Sequence, residues 1–150
     1  MENWQKIVIF LYFFLNVITV IRGYRECKDR KNAFGESPLL FFLGMFVWGD
    51  AVIFGLFWAS ISLVTFFLND WILFLLIISL FWLVRSLGET NYWINQQFST
   101  IVRNPPEKLR FYTFFKNDSV WFVYQIIWQC VTVVSAIFTI YLLDIWLKSF

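Results

Sequence analysis

The chain has 150 residues, of which 60% are hydrophobic and 23% aromatic, while only 15% are charged. The apolar residues come in long blocks, so most of the surface faces lipid or other apolar blocks, and a soluble domain is excluded. The formal net charge of +2 is too small to indicate a nucleic-acid partner. The sequence has no histidine, the commonest general base and metal ligand, and no cofactor is predicted.

These blocks predict an all-α integral membrane protein, with a single transmembrane domain over residues 1–150 and four helices that cross the bilayer. The first of these helices is expected over about residues 4–21. Basic residues follow this block instead of preceding it, which indicates a helix that is retained rather than a cleaved signal peptide.

The second block is expected to be helical over about residues 38–68, starting at a serine-proline pair. A single straight helix of this length would measure about 46 Å, well beyond a hydrocarbon core of about 30 Å. We therefore expect a break near Gly44, Gly49 and Asp50, with the part before it lying along the membrane interface.

Only Asn69 and Asp70 separate the second block from the third, so the two helices are expected to form a tight antiparallel hairpin. The third helix is predicted over about residues 70–104, and it becomes amphipathic in its second half. Two prolines stop it and open a short interfacial helix over about residues 105–115. The fourth membrane-spanning helix is predicted over about residues 119–147.

The distribution of basic residues predicts the orientation in the membrane. Of the 12 lysine and arginine residues, all except Lys6 and Lys148 lie in or beside the loops that follow the first and third helices. Because positively charged loops stay in the cytoplasm, both termini are expected on the non-cytoplasmic side. The expected location is a bacterial inner (plasma) membrane or the inner membrane of an organelle.

Three ionisable residues form the first candidate binding site. Folding the chain back between the second and third helices would bring Asp50 level with Glu89, with Arg85 about one helical turn deeper. A charge at that depth is costly unless it is paired, so we expect Arg85 to pair with Asp50, with Glu89 or with both. Two interpretations stay open, namely a site for an ion, proton or lipid headgroup, and a structural ion pair that fixes the hairpin.

A polar stripe along the last helix forms the second candidate site. Its amides cannot be left unpaired in hydrocarbon, so the stripe is expected to face other helices, a partner subunit or water. Interhelical packing and a polar conduit both fit this pattern. The stripe consists of Gln125, Gln129, Thr132, Ala136 and Thr139, and the first three are candidate binding residues.

Small residues on one face of the second helix predict that another helix approaches it closely. The partner is either a helix of the same chain or a helix of a second subunit. The ridge consists of Ala51, Gly55, Ala59 and Ser62.

Three hypotheses for the function follow. The leading one is a small oligomeric channel or transporter for an ion or small solute, supported by the polar stripe and the charged cluster. The alternative is a non-catalytic structural or interaction subunit of a larger membrane complex. A membrane enzyme acting on lipid is third, because no phosphate-binding loop, nucleophile elbow or metalloprotease motif is present. The expected partners are the lipid bilayer and either copies of this chain or other membrane subunits.

Overall fold

The computed structural model describes residues 1–149, without the side chain of Pro38. These residues form α-helices and two 3₁₀ turns, and no β-strand is found among them. Four of the helices are long and apolar enough to cross a membrane. This confirms the predicted fold class, and the chain is a multi-pass membrane protein. The helices are α1 (Asn3–Lys28), α2 (Trp48–Leu68), α3 (Trp71–Phe98), α4 (Tyr112–Phe115) and α5 (Ser119–Leu147), and the 3₁₀ turns are Pro38–Leu43 and Pro106–Lys108.

The chain folds as two compact units, of which the first is Met1–Leu75 and the second begins at Leu76. The first unit contains α1, α2 and the beginning of α3. The second contains the rest of α3, together with α4 and α5.

Helices α1 and α2 pack closely in the first unit because small residues separate their backbones. A Cβ atom added to Gly23 would lie 3.0 Å from the Cβ of Ala51, and one added to Gly55 would lie 2.6 Å from Cγ2 of Val20. The small-residue ridge of α2 therefore meets a helix of the same chain. All four members of the ridge are buried, namely Ala51, Gly55, Ala59 and Ser62.

The expected break in the second block is present, although it is shorter than predicted. Gly44 ends the 3₁₀ turn in the left-handed conformation, at a φ of 72° that favours glycine. Helix α2 then begins at Trp48, so Gly49 and Asp50 lie in its first turn instead of in the break. The Asp50 carboxylate accepts a hydrogen bond of 3.1 Å from the backbone N–H of Phe46, which favours a helix start at this point.

The predicted tight turn between α2 and α3 is confirmed. Asn69 ends α2 in the left-handed conformation, which asparagine adopts more readily than most residues. The carboxylate of Asp70 accepts a hydrogen bond of 2.9 Å from the backbone N–H of Leu73, as a helix N-cap does.

Helix α1 continues to Lys28, well beyond the predicted end at residue 21. The prediction followed hydrophobicity, which stops where the basic residues begin. Gly23 and Glu26 are nevertheless buried, and the cations of Arg25 and Lys28 lie in the last turn, where they interact favourably with the helix dipole. Packing and charge therefore extend the helix past its apolar part.

The segment before the last helix is less regular than predicted. The prediction of a single helix over 105–115 is wrong. Leu109 has an extended conformation, with a ψ of 141°, and it separates the 3₁₀ turn from α4. The expected short helix is present only as α4. Helix α5 has the predicted bounds.

Candidate functional site

In the second unit, hydroxyl groups on α3 form hydrogen bonds with hydroxyl groups on α5. Ser79 and Ser86 are seven residues apart, as are Thr132 and Thr139, and seven residues make about two helical turns, so each pair lies on one helix face. The Oγ of Ser79 lies 2.8 Å from Oγ1 of Thr139, and Oγ1 of Thr132 lies 2.9 Å from Oγ of Ser86. Because the earlier residue of α3 meets the later residue of α5, the two helices run antiparallel.

Each of these hydroxyls also has a backbone partner. Ser86 donates to the carbonyl of Leu83 at 3.0 Å, and Oγ1 of Thr132 lies 2.9 Å from the carbonyl oxygen of Trp128. Ser79 lies 3.1 Å from the carbonyl oxygen of Ser135. Polar side chains bonded to both helices need neither water nor a ligand in hydrocarbon.

An amide pair continues the same contact toward the end of α3. The amide nitrogen of Gln97 donates to Oε1 of Gln125 at 2.7 Å and to the carbonyl oxygen of Trp93 at 3.1 Å. The ring of Trp93 stacks on that of Tyr124, with 4.6 Å between ring centroids and 25° between ring planes. Gln125 and Thr132 thus face another helix, as expected of the stripe, and ligand binding by either stays a prediction.

Gln129 lies apart from the residues of the stripe that are bonded to α3. At 3.6 residues per turn, it lies about 100° around the helix from the buried Trp128 and about 60° from Thr132, which is bonded to Ser86 of α3. Of the residues that the structure describes, none forms a hydrogen bond with the Gln129 amide. For Gln129, the expectation that the stripe faces other helices, a partner subunit or water stays a prediction.

Gln129 instead lines a shallow groove of about 350 Å³ on the exposed side of α5. The other lining side chains are apolar or weakly polar, and they belong to α5 as well. They are Ile126, Cys130, Val133 and Val134.

The charged cluster is present in part. Nη2 of Arg85 lies 3.3 Å from Oε1 of Glu89, one turn further along α3, and both side chains are largely buried. The expected pairing of Arg85 with Glu89 is therefore found. Asp50 belongs to the first unit, at the start of α2. Binding of an ion or headgroup by these three residues stays a prediction.

Gln96 holds the loop after α3, a role that the sequence pattern does not reveal. Its Oε1 accepts the backbone N–H groups of Arg103 at 3.2 Å and Asn104 at 3.4 Å, and its Nε2 donates to the carbonyl oxygen of Ile101 at 3.3 Å. These bonds give the loop partners outside a helix, which is why α3 ends at Phe98 and not at residue 104. The sequence contains three consecutive amide side chains at 95–97, but it does not show which of them turns inward.

The arrangement joins α3 to α5 by hydrogen bonds between side chains. In residues 1–149 no group of three or more acidic or cysteine side chains lies close enough to hold a metal ion. The sequence has no histidine that would activate a serine. No protein-family model, curated protein or solved structure matches this chain. The arrangement itself is therefore the basis for a functional proposal.

Proposed function

We propose that this chain is a non-catalytic subunit of a larger membrane assembly. The observation that carries the proposal is the division of polar side chains on α5. Gln125, Thr132 and Thr139 are bonded to α3, whereas the Gln129 amide lies on the exposed side with apolar neighbours. The first group serves packing within the chain, and Gln129 requires a partner from outside it.

The alternative of a transport protein loses part of its support. A water-filled path needs polar groups directed toward a continuous cavity. The hydroxyls of Thr132 and Thr139 are instead occupied by Ser86 and Ser79. The groove beside Gln129 is lined almost wholly by apolar side chains, which do not hold a file of water. Transport stays a prediction that a flux measurement tests.

The enzyme hypothesis has the weakest support. The carboxylate of Glu89 lies next to the guanidinium of Arg85 on the same helix, an arrangement that compensates both charges. An ion pair of this kind serves the stability of α3 and leaves little reason to infer a reaction.

The exposed face of α5 supports an interaction role directly. An amide in hydrocarbon without a hydrogen-bond partner is unfavourable, and glutamine side chains in transmembrane helices form hydrogen bonds with neighbouring helices. A subunit that brings its own polar side chain to the level of Gln129 would satisfy this amide. If α5 faced only lipid, the Gln129 amide would have no hydrogen-bond partner.

The orientation of the subunit stays the one predicted from its basic residues, with both termini on the non-cytoplasmic side. Reporter proteins fused after residue 150 test it. We expect a reporter that works only outside the cytoplasm to be active, and activity of a cytoplasmic reporter would contradict the orientation.

The proposed function is tested by extracting the chain from its native membrane into polymer discs and determining what accompanies it. We expect the 18.1 kDa chain in particles that contain further protein, and Gln129→Leu should release a larger share of it as single chains. Gln125→Leu is the matched control, because it removes an amide from the internal contact and should lower stability instead of association. The proposal would be contradicted if the particles contained single chains and no further protein. Ion flux through the reconstituted protein that Thr132→Val abolishes would also contradict it.

A further inference from the structure

We propose that the connection between α1 and α2 enters one leaflet of the membrane and binds anionic phospholipid there. Acyl chains cover its apolar side chains, and phosphate groups bind Arg22 and Arg25. The inference goes beyond the proposed function, because it concerns the first unit and does not depend on what covers α5. Depth, hydrogen bonding, exposed side chains and charge support it.

A hydrogen bond to α2 fixes the depth of this connection. Helix α2 has 21 residues, which at 1.5 Å each span about 31 Å, the whole hydrocarbon core. Trp58 lies ten residues after the helix start at Trp48, and its Nε1 donates to the carbonyl oxygen of Leu43 at 3.2 Å. A tryptophan side chain leans by about one turn toward the start of its helix, so Leu43 lies roughly 10 Å inside the core. The 3₁₀ turn Pro38–Leu43 therefore folds back along α2 into the membrane.

The backbone of this turn is bonded as a segment in hydrocarbon requires. Irregular backbone at such depth must find its hydrogen bonds within the protein, because lipid offers none. The N–H and the Oγ of Ser37 donate to the carbonyl oxygens of Phe46 at 2.9 Å and Met45 at 3.0 Å. The N–H groups of Gly44 and Met45 donate to carbonyl oxygens of the turn itself, at 2.9 and 3.3 Å. Since Ser37 and Met45 are also buried, the turn has a fixed shape and a closed base.

Two large apolar side chains of the turn are left exposed. Leu39 is 82% exposed and Phe42 is 81% exposed. The backbone around them is held from both sides, so their exposure is a feature of the fold. At the depth that Trp58 sets, the surroundings are acyl chains, and placing these side chains in lipid instead of water is favourable. The acyl chains of one leaflet are therefore the cover that suits this surface.

Two arginines lie at the level of the lipid headgroups. The guanidinium of Arg22 lies 5.0 Å from the centre of the Trp48 ring, at the start of α2. Arg25 is its neighbour one turn along α1, about 4.5 Å further from the core. Among the residues that the structure describes, neither arginine forms an ion pair. Guanidinium groups bind phosphate oxygens in pairs, and basic residues at the edge of a span attract anionic lipid, so the charge beside the turn complements an anionic phospholipid.

The depth is tested with single cysteines in a chain with Cys27→Ser and Cys130→Ser, held in lipid discs that leave both membrane faces open. Leu39→Cys and Phe42→Cys should react with a membrane-impermeant maleimide about tenfold more slowly than Arg30→Cys, although the Arg30 side chain, at 73%, is less exposed. After unfolding in sodium dodecyl sulfate, all three should react alike. Equal rates in the discs would overturn the position of the turn in the leaflet.

Binding of the headgroup is tested in discs that contain equal amounts of phosphatidylglycerol, which is anionic, and phosphatidylcholine, which has no net charge. Native mass spectrometry of the released chain shows which lipids stay bound. We expect phosphatidylglycerol to be enriched, and Arg25→Gln should weaken its binding about fivefold. Adding Arg22→Gln should weaken it further. Arg30→Gln is the matched control, because Arg30 is already paired with Glu26 at 2.8 Å and its loss should leave the enrichment unchanged.

The outcomes separate the lipid site from a loss of folding and from the proposed function. Leu39→Cys should stay protected when Arg25→Gln is added, because the arginine binds the headgroup and does not hold the turn. No enrichment of phosphatidylglycerol, or equal losses from Arg25→Gln and Arg30→Gln, would overturn the arginine site. The subunit proposal is decided by the proteins that accompany the chain, and none of these results changes it.

Discussion

The two units hold their long helices together by different means. In the first, α1 and α2 approach closely because Gly23 and Gly55 leave no room for a side chain. In the second, α3 and α5 carry larger polar side chains, which hydrogen-bond across the contact at Ser79, Ser86 and Gln97. A membrane gives no hydrophobic drive for helices to associate, so either close backbone contact or buried hydrogen bonds must supply the attraction. A polar residue in a membrane-spanning helix therefore serves packing when a facing helix supplies its hydrogen-bond partner.

The largest effect is expected where the close contact of the first unit is forced open. Gly55→Leu would drive a side chain into Val20 and toward the backbone of Asn16, so we expect a loss of about 3 kcal/mol in the free energy of unfolding. Unfolding in mixed micelles measures it. Gly88→Leu is the control, because a Cβ there meets nothing within 4 Å. Equal losses for both variants would mean that close contact does not stabilise the first unit.

A smaller effect is expected from the amide pair of the second unit. Gln97→Leu or Gln125→Leu leaves the other amide without this partner and should cost about 1–2 kcal/mol. The double variant removes both amides, and its loss in the free energy of unfolding should be smaller than the sum of the losses of the two single variants. Strict additivity in the same unfolding assay would show that the 2.7 Å contact between them contributes nothing.

The smallest effect is expected at the hydroxyl pair. Ser86→Ala and Thr132→Val each remove one hydroxyl of a contact 2.9 Å long, and we expect a coupling energy of about 0.6 kcal/mol. Val133→Thr adds a hydroxyl on the exposed side of the same helix and should show no coupling with Ser86→Ala. Coupling to Val133→Thr of the same size would mean that the measured effect is not specific to the contact.

Long apolar blocks predicted four spans correctly, because the membrane requires about 20 apolar residues whatever the protein does. The bounds of α5 followed from polar residues at both of its ends. The end of α1 did not, because the helix continues through basic residues once the apolar block is over. Hydrophobicity reports which residues tolerate lipid, and helix ends depend on hydrogen bonds such as those of Gln96, which are not visible in a composition pattern.

The candidate site was predicted only in part for a related reason. The polar stripe of α5 was visible in its spacing, but the spacing of one helix does not identify the face that a neighbour covers. Ser79 and Ser86 repeat at seven residues on α3, as Thr132 and Thr139 do on α5. Matching these two repeats would have separated Thr132 from Gln129. A contact between helices needs two faces, and the spacing along one helix defines only one of them.

Substituted cysteines in a chain with Cys27→Ser and Cys130→Ser test most directly whether the polar stripe of α5 is a packing surface. We predict that Ser86→Cys with Thr132→Cys forms a disulfide within the chain. Ser86→Cys with Val133→Cys should not form one, since Val133 lies on the exposed side of α5.

In the same background, we predict that Thr132→Cys alone resists a thiol reagent that does not enter lipid, while Lys148→Cys, at an exposed helix end, reacts readily. Labelling of Thr132→Cys as fast as that of Lys148→Cys, without a cross-link to residue 86, would contradict the account, because it would mean that water and not α3 covers this face.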